Sequence, residues 1–224
     1  MQELKIIYED NHIIVVEKKP NVPSQEDKTG DIDMLTLVKK YIKEKYNKPG
    51  NVYIGLVHRL DRPVGGVMIF AKTSKAASRL SNQVREKIFE KRYLAVVDGK
   101  FDVEKGSIEN YLYKDERNNI SKVVNKEKKN AKPAKLDYKV IKYNEVKDLS
   151  LVEINLHTGR HHQIRVQLSD FGHSIFGDQK YGKRGQGKQI ALWAYKLTIQ
   201  HPITNEKLTF EDLPEKVGTW CILR

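Results

Sequence analysis

Hydrophobic and polar positions change period several times along this chain. Leu4–Tyr8 and His12–Glu17 are short runs rich in Ile and Val, separated by Glu9-Asp10-Asn11, and read as two strands joined by a turn. Lys18-Lys19-Pro20-Asn21-Val22-Pro23 breaks regular structure. Leu35, Val38, Ile42 and Tyr46 then recur on one helical face with lysines opposite. The pattern predicts a helix capped by Asp31 or Asp33 and ended by Asn47-Lys48-Pro49-Gly50-Asn51. Val67–Lys72 is a continuous apolar run and predicts a buried strand. Thr73 or Ser74 caps a second helix reaching about Glu90, with Ala77, Leu80, Val84 and Ile88 inward.

Lys91–Gly99 returns to a strand pattern, with a tyrosine near its start. Lys122–Lys135 carries six lysines and one glutamate and reads as an exposed loop between strands, either a solvated connection or a phosphate-contacting segment. Leu136–Tyr143 and Leu149–Leu156 read as paired strands. Thr158-Gly159 makes a turn, and a helix follows to about Asp170, with Ile164, Leu168 and Phe171 facing the core and His161 and Arg165 on another face. Ala191–Gln200 and Lys207–Phe210 close the chain as strands, with His201-Pro202 opening the turn between them. No internal repeat and no dividing linker interrupt the series, so residues 1–224 are expected to form a single domain.

Composition narrows the class. The 224 residues are 39% hydrophobic and 31% charged, as in folded soluble proteins rather than disordered ones. The formal net charge of +12 points to a polyanionic partner, nucleic acid first. An anionic membrane is the second candidate, but no long basic amphipathic helix supports it. One cysteine, Cys221, allows neither an internal disulfide nor a cysteine-based metal site. No signal-type segment and no run of about 18 apolar residues occurs, so the expected location is the cytoplasm.

The candidate chemistry centres on His58-Arg59-Leu60-Asp61-Arg62-Pro63-Val64-Gly65-Gly66. Asp61 stands between two arginines, and nearby positive charge favours the carboxylate anion. The proline and glycines shape a tight turn before the buried strand. Two later stretches go with it. Lys91-Arg92-Tyr93-Leu94-Ala95-Val96-Val97-Asp98-Gly99 places a basic residue and a tyrosine before A-x-V-x-G. Gly159-Arg160-His161-His162-Gln163-Ile164-Arg165 is followed by Gly172-His173 and by Gly177-Asp178-Gln179-Lys180-Tyr181-Gly182. These three stretches, in this order, resemble the motifs of the RluA-type pseudouridine synthases, and the resemblance runs from about Leu4 to about Pro214.

That resemblance implies an α+β fold with a mixed, mostly antiparallel central sheet and flanking helices. It implies isomerisation of uridine to pseudouridine in ribosomal or transfer RNA, without cofactor or metal. Asp61 would be the catalytic carboxylate, Tyr93 the ring that stacks on the base and helps remove the C5 proton, and Arg165 the arginine paired with Asp61. Arg59 would take the place of a flipped nucleotide, and Arg62, Lys91, Arg160 and His161 would join it in contacting RNA. The whole chain would be one catalytic domain with no N-terminal accessory RNA-binding domain, acting as a monomer. Two departures stand out: Val64-Gly65 lacks the serine frequent there, and His161 replaces a threonine. Two other readings compete. A metal-dependent hydrolase would use His157, His161, His162 and Asp178, though no H-E-x-x-H is present. A non-catalytic RNA-binding protein would satisfy the charge equally well.

Overall fold

The computed structural model describes residues 4–183, 185, 187 and 189–223. They divide into two compact units: residues 1–90 with 194–213, and residues 91–193 with 214–224. The fold is α+β, with antiparallel strand pairing and few helices, as the sequence predicts.

In the first unit, β1 (Ile6–Glu9) and β2 (Ile13–Lys18) form the expected hairpin. Asp10 shapes its turn by accepting from the backbone N–H groups of His12 (2.7 Å) and Ile13 (2.8 Å). Helix α1 (Met34–Lys45) is capped by Asp33, whose side chain accepts from Thr36 N. Its buried stripe is Met34, Val38 and Ile42; Tyr46, expected inside, is exposed because the helix has already ended. A two-residue strand, β3 (Gly55–Leu56), pairs with β4 (Gly65–Ala71) and has no sequence signal of its own. Strand β4 also pairs with β2, and both are buried along their whole length. That double-sided burial explains why they read as continuous apolar runs rather than alternating ones.

Helix α2 (Ser74–Arg85) is capped by Thr73 and stops earlier than the apolar spacing predicts. Lys87 takes a left-handed backbone (φ 60°), and Ile88 N–H donates to Gln83 O (3.0 Å), the closure of a Schellman end. Ile88 and Phe89 therefore leave the helix. Leu80 and Ala76 pack with Ile13, Val15, Val67, Ile69 and Phe89 in the core of this unit. Burying a side chain such as Leu80 contributes about 1.5–3 kcal/mol.

The second unit begins with β5 (Glu90–Asp98), followed by β6 (Lys105–Asp115), β7 (Ile120–Val124), β8 (Lys132–Asn144) and β9 (Leu149–Leu156). Their order is β5-β9-β8-β6-β7, antiparallel throughout. The lysine-rich stretch is thus a correction to the expected loop. Lys122–Val124 belongs to β7, Lys132–Lys135 belongs to β8, and only residues 125–131 connect them. Lys122, Lys132 and Lys135 are exposed, and their charge hid the strand ends.

Helix α3 (Gln163–Asp170) starts later than the spacing predicts, because His162 is left-handed (φ 53°). His161 therefore lies outside it, and the expected shared face with Arg165 does not form. Residues Gln163–Leu168 are all buried. Phe171, expected in the core, is 46% exposed just past the helix end. Strands β10 (Leu192–Gln200) and β11 (Lys207–Glu211) form a hairpin, and Gly218–Leu223 is a short 3-10 helix. Strand β10 also neighbours β4, and their approach sets a demand on Gly66. A Cβ there would lie 2.2 Å from Ala194 O, and φ is +122°.

Candidate active site

In the first unit, the backbone around Asp61 is held from several directions. Ser24 Oγ donates to Leu60 O (2.8 Å) and accepts from Leu60 N–H (3.1 Å). Asn21 N–H donates to Arg62 O (2.8 Å), and Val64 N–H donates to Asp61 O (2.9 Å), closing a turn over Arg62-Pro63. Lys18, at the end of β2, is fully buried. Its ammonium donates to Lys19 O (3.2 Å), Arg62 O (2.9 Å) and Val64 O (2.6 Å). Burial pulls its pKa down to about 7, the charge of Asp61 works against that, and Arg62 adds to it. Three carbonyls meet the three N–H bonds of the charged form. The segment from Lys18 to Ser24, which the sequence marks only as a breaker, is what fixes residues 60–64.

Side chains around Asp61 are committed differently. His58 Nε2 accepts from Ile69 N–H (3.2 Å), and its ring packs on Phe89. Arg59 is exposed. Arg62 turns to the 27–31 loop, donating to Thr29 Oγ1 (2.9 Å) and pairing with Asp27 (3.4 Å) and Asp31. Both of those carboxyls are held below their ordinary range: Asp31 by hydrogen bonds from Arg62 and then Thr29, Asp27 first by Thr29.

In the second unit, Tyr93 is a buried residue of β5, opposite Ile154 of β9. Two residues earlier, burial lowers the pKa of Lys91. A Cβ on Gly159 would sit 3.4 Å from its Nζ, so the glycine leaves the amine room. The Thr158-Gly159-Arg160 turn is tied by one amide. Gln163 Oε1 accepts from Thr158 Oγ1 (2.7 Å) and Arg160 N–H (3.0 Å), and its Nε2 donates to Lys135 O (3.1 Å). Only a side chain that is both donor and acceptor can do this. The Nε of Arg160 donates to Pro133 O (3.0 Å).

His161 Nδ1 lies 3.0 Å from Ser121 Oγ, and its ring stacks on His162 at 3.7 Å. His162 Nδ1 is 2.9 Å from the Tyr181 hydroxyl, and burial holds its pKa far below the ordinary value.

Arg165 is buried and bidentate to Asp178. Its Nε and one Nη each donate at 2.7 Å to separate oxygens of a carboxylate that is itself buried. Its guanidinium also lies 5.3 Å from the centre of the Tyr181 ring. Asp178 Oδ1 accepts in addition from Lys180 N–H (2.9 Å) and Tyr181 N–H (3.2 Å). Gly182 is required where it stands, since a Cβ would meet Asp178 O at 2.6 Å. Asp178 and Tyr181 are thus the partners that Arg165 has within its own unit, and the G-D-x-x-Y-G spacing was their signal. The four residues of the hydrolase reading are spoken for separately. His157 Nε2 is 2.5 Å from Asp137, His161 meets Ser121, His162 meets Tyr181, and Asp178 holds Arg165.

The profile of the RNA pseudouridylate synthase family matches residues 12–170, which include the Asp61 turn, Tyr93 and Arg165. The chain belongs to that family. It is an RNA uridine isomerase, a pseudouridine synthase. It is 34% identical over 215 residues to an uncharacterized RNA pseudouridine synthase of Bacillus subtilis strain 168, YhcT, covering 93% of this chain and 68% of that one. It is 30% identical over 214 residues to the ribosomal large subunit pseudouridine synthase C of Buchnera aphidicola subsp. Schizaphis graminum, covering 91% and 65%. The human RNA Pseudouridylate Synthase Domain Containing 1 structure shares the synthase fold, with a TM-score of 0.78 and 24% identity over 98% of this chain and 86% of that one. Among the described residues, no helix of this synthase is long and apolar enough to cross a membrane.

Proposed function

We propose that this synthase converts specific uridines to pseudouridine in structured ribosomal or transfer RNA, with Asp61 as the catalytic carboxylate. The observation that carries the assignment is the hold on residues 60–64 by Lys18, Asn21 and Ser24. A carboxylate that must meet one sugar carbon needs a fixed backbone, and three side-chain and main-chain donors from a neighbouring segment supply it. The Buchnera relative's name supports large-subunit ribosomal RNA as the first class to test.

The product is an isomer of the substrate, so no oxidant, reductant or second substrate enters. The N1–C1′ bond breaks, the base turns, and C5 bonds to C1′. The C5 proton leaves, and N1 gains one. Asp61 attacks C1′ or assists departure of the base. Tyr93 stacks on the ring while it turns and takes part in removing the C5 proton. Arg165 keeps the carboxylate ionised and oriented. The target nucleotide must leave its stack, at a cost of about a few kcal/mol, and Arg59 is free of the ordered core to fill its place.

Arg62, Lys91, Arg160 and His161 complete the RNA contacts. In that role Arg62 would exchange or share its pairing with Asp27 and Asp31. Residues 1–224 act as one catalytic domain, a monomer in the cytoplasm, without metal or cofactor. Release of tritium from RNA labelled at uridine C5 tests the reaction and Asp61 together. Wild-type protein should release it, and folded Asp61→Ala should not.

A further inference from the structure

The reading above leaves open which surface receives RNA around the target. Side chains of neighbouring residues in a strand point to opposite faces, and the register of β6, β7 and β8 sorts theirs. One face is packed: Leu112 and Ala134 meet Val166 of α3, and Gln167 Nε2 donates to Ile108 O (3.2 Å). The opposite face carries Tyr111 and Tyr113 side by side. Tyr111 pairs with Val124 of β7 and Pro133 of β8, and Tyr113 pairs with Lys122. Both rings are half-buried, whereas Lys122 and Pro133 are exposed.

One cation beside these rings, Lys128, sits on a hydrogen-bonded turn. Residues 125–131 form an ordered turn, with Lys128 N–H donating to Asn125 O (3.1 Å) and Ala131 N–H to Lys128 O (3.0 Å). Lys128 Nζ lies 5.4 Å from the centre of the Tyr113 ring. Two neighbouring lysines have carboxylates: Lys135 pairs with Glu109 at 2.5 Å and Lys126 with Glu127 at 3.9 Å. Lys128 and Lys129 form no ion pair with a described residue, and Lys122 acts on Asp115 only through its charge, without a close ion pair.

Two aromatic faces flanked by exposed lysines match a strand of unstacked bases with its phosphates. A duplex offers phosphates but hides its base faces. A protein partner would call for a broader apolar centre than two tyrosines, a valine and a proline. We propose that this open face of β6–β7–β8 docks a single-stranded stretch of the substrate RNA. Bases stack on Tyr111 and Tyr113, and phosphates are neutralised by Lys122, Lys128 and Lys129. The proposal rests on the assignment of an RNA substrate and adds where and in what form the RNA binds.

The test is fluorescence polarisation of the full chain with a short labelled oligouridylate, and with an RNA duplex of equal length, across a salt series. Tyr111→Leu with Tyr113→Leu keeps apolar bulk and removes the aromatic faces. It should weaken oligouridylate binding about tenfold and leave the duplex and the salt slope unchanged. Tyr111→Phe with Tyr113→Phe should bind like wild type. Lys122→Gln, Lys128→Gln and Lys129→Gln together should lower the salt slope for oligouridylate by about 2. The proposal is overturned if wild type ignores oligouridylate, if the leucine pair binds like wild type, if it weakens both probes equally, or if the phenylalanine pair fails with it. An unchanged salt slope in the lysine variant overturns the phosphate role. Tritium release separates this from the assignment of function. Oligouridylate binding without release from any RNA would sink that assignment and spare the docking face; release with an unimpaired leucine pair would do the reverse.

Discussion

Two arginine–carboxylate pairings in this synthase use the same chemistry in opposite surroundings. Arg62 reaches Asp27 and Asp31 with all three side chains over a third exposed. Arg165 reaches Asp178 with both partners buried, in two parallel hydrogen bonds of 2.7 Å. Water competes for the first pair and salt screens it, so it contributes little. The second pair gave up its hydration on folding. Its net contribution is modest, but losing one partner strands a buried charge, at a cost of about 3–5 kcal/mol. The exposed pair is therefore free to rearrange. The buried one fixes a guanidinium whose position the chain cannot easily change.

The sharpest way to break this contrast is Arg165→Met. Denaturant unfolding should show a loss of about 3–5 kcal/mol, and adding Asp178→Leu should recover much of it. An unaltered midpoint in the single variant would remove the buried pair from the account. Next in size is Lys18→Met, which leaves the Val64 carbonyl without its Lys18 donor, at about 1–3 kcal/mol, while Arg62 O keeps Asn21 N–H.

Lys18 also predicts a pH dependence. Unfolded, it keeps its proton to about pH 10.5, whereas folded it gives the proton up near 7. Between those values the unfolded chain binds more protons, so this residue makes stability rise with pH from about 7 towards 10. Comparing wild type with Lys18→Met over that range should show the slope only in wild type. Asp33→Ala, which removes the cap of α1, should cost about 1 kcal/mol. The smallest effect belongs to Arg62→Gln: a denaturation midpoint close to that of wild type, with any difference fading as salt is added.

Much of this was legible in the sequence, for identifiable reasons. Strands β2 and β4 announce themselves because both faces are buried, so Ile13–Val16 and Val67–Ala71 are continuous apolar runs. Helices α1 and α2 do so through side-chain caps at Asp33 and Thr73. The three motifs pointed to the family directly. What escaped was set by backbone rather than side-chain pattern. The left-handed residues Lys87 and His162 cut α2 short and delayed α3, and neither is a glycine that would give warning. Strand β7 was hidden because it is short and its exposed Lys122 opens the lysine-rich stretch.

The site shows the same division. Motif spacing singles out Asp61, Tyr93 and Arg165 as the proposed catalytic residues. Lys18 could not, because a lysine after a strand and before a proline looks like a solvated breaker until its carbonyl acceptors are seen. Asp178 stood out as part of the G-D-x-x-Y-G stretch and as a possible metal ligand, but spacing alone cannot say that a buried arginine will claim it.

The central claim is that Asp61, held by its pinned turn, carries the isomerisation. The most direct measurement is tritium release from C5-labelled ribosomal RNA by wild type and by Asp61→Asn, with circular dichroism and RNA affinity confirming that the variant is folded and still binds. Release by wild type and none by a folded, RNA-binding variant is the predicted result. Release by Asp61→Asn at the wild-type rate would contradict the account.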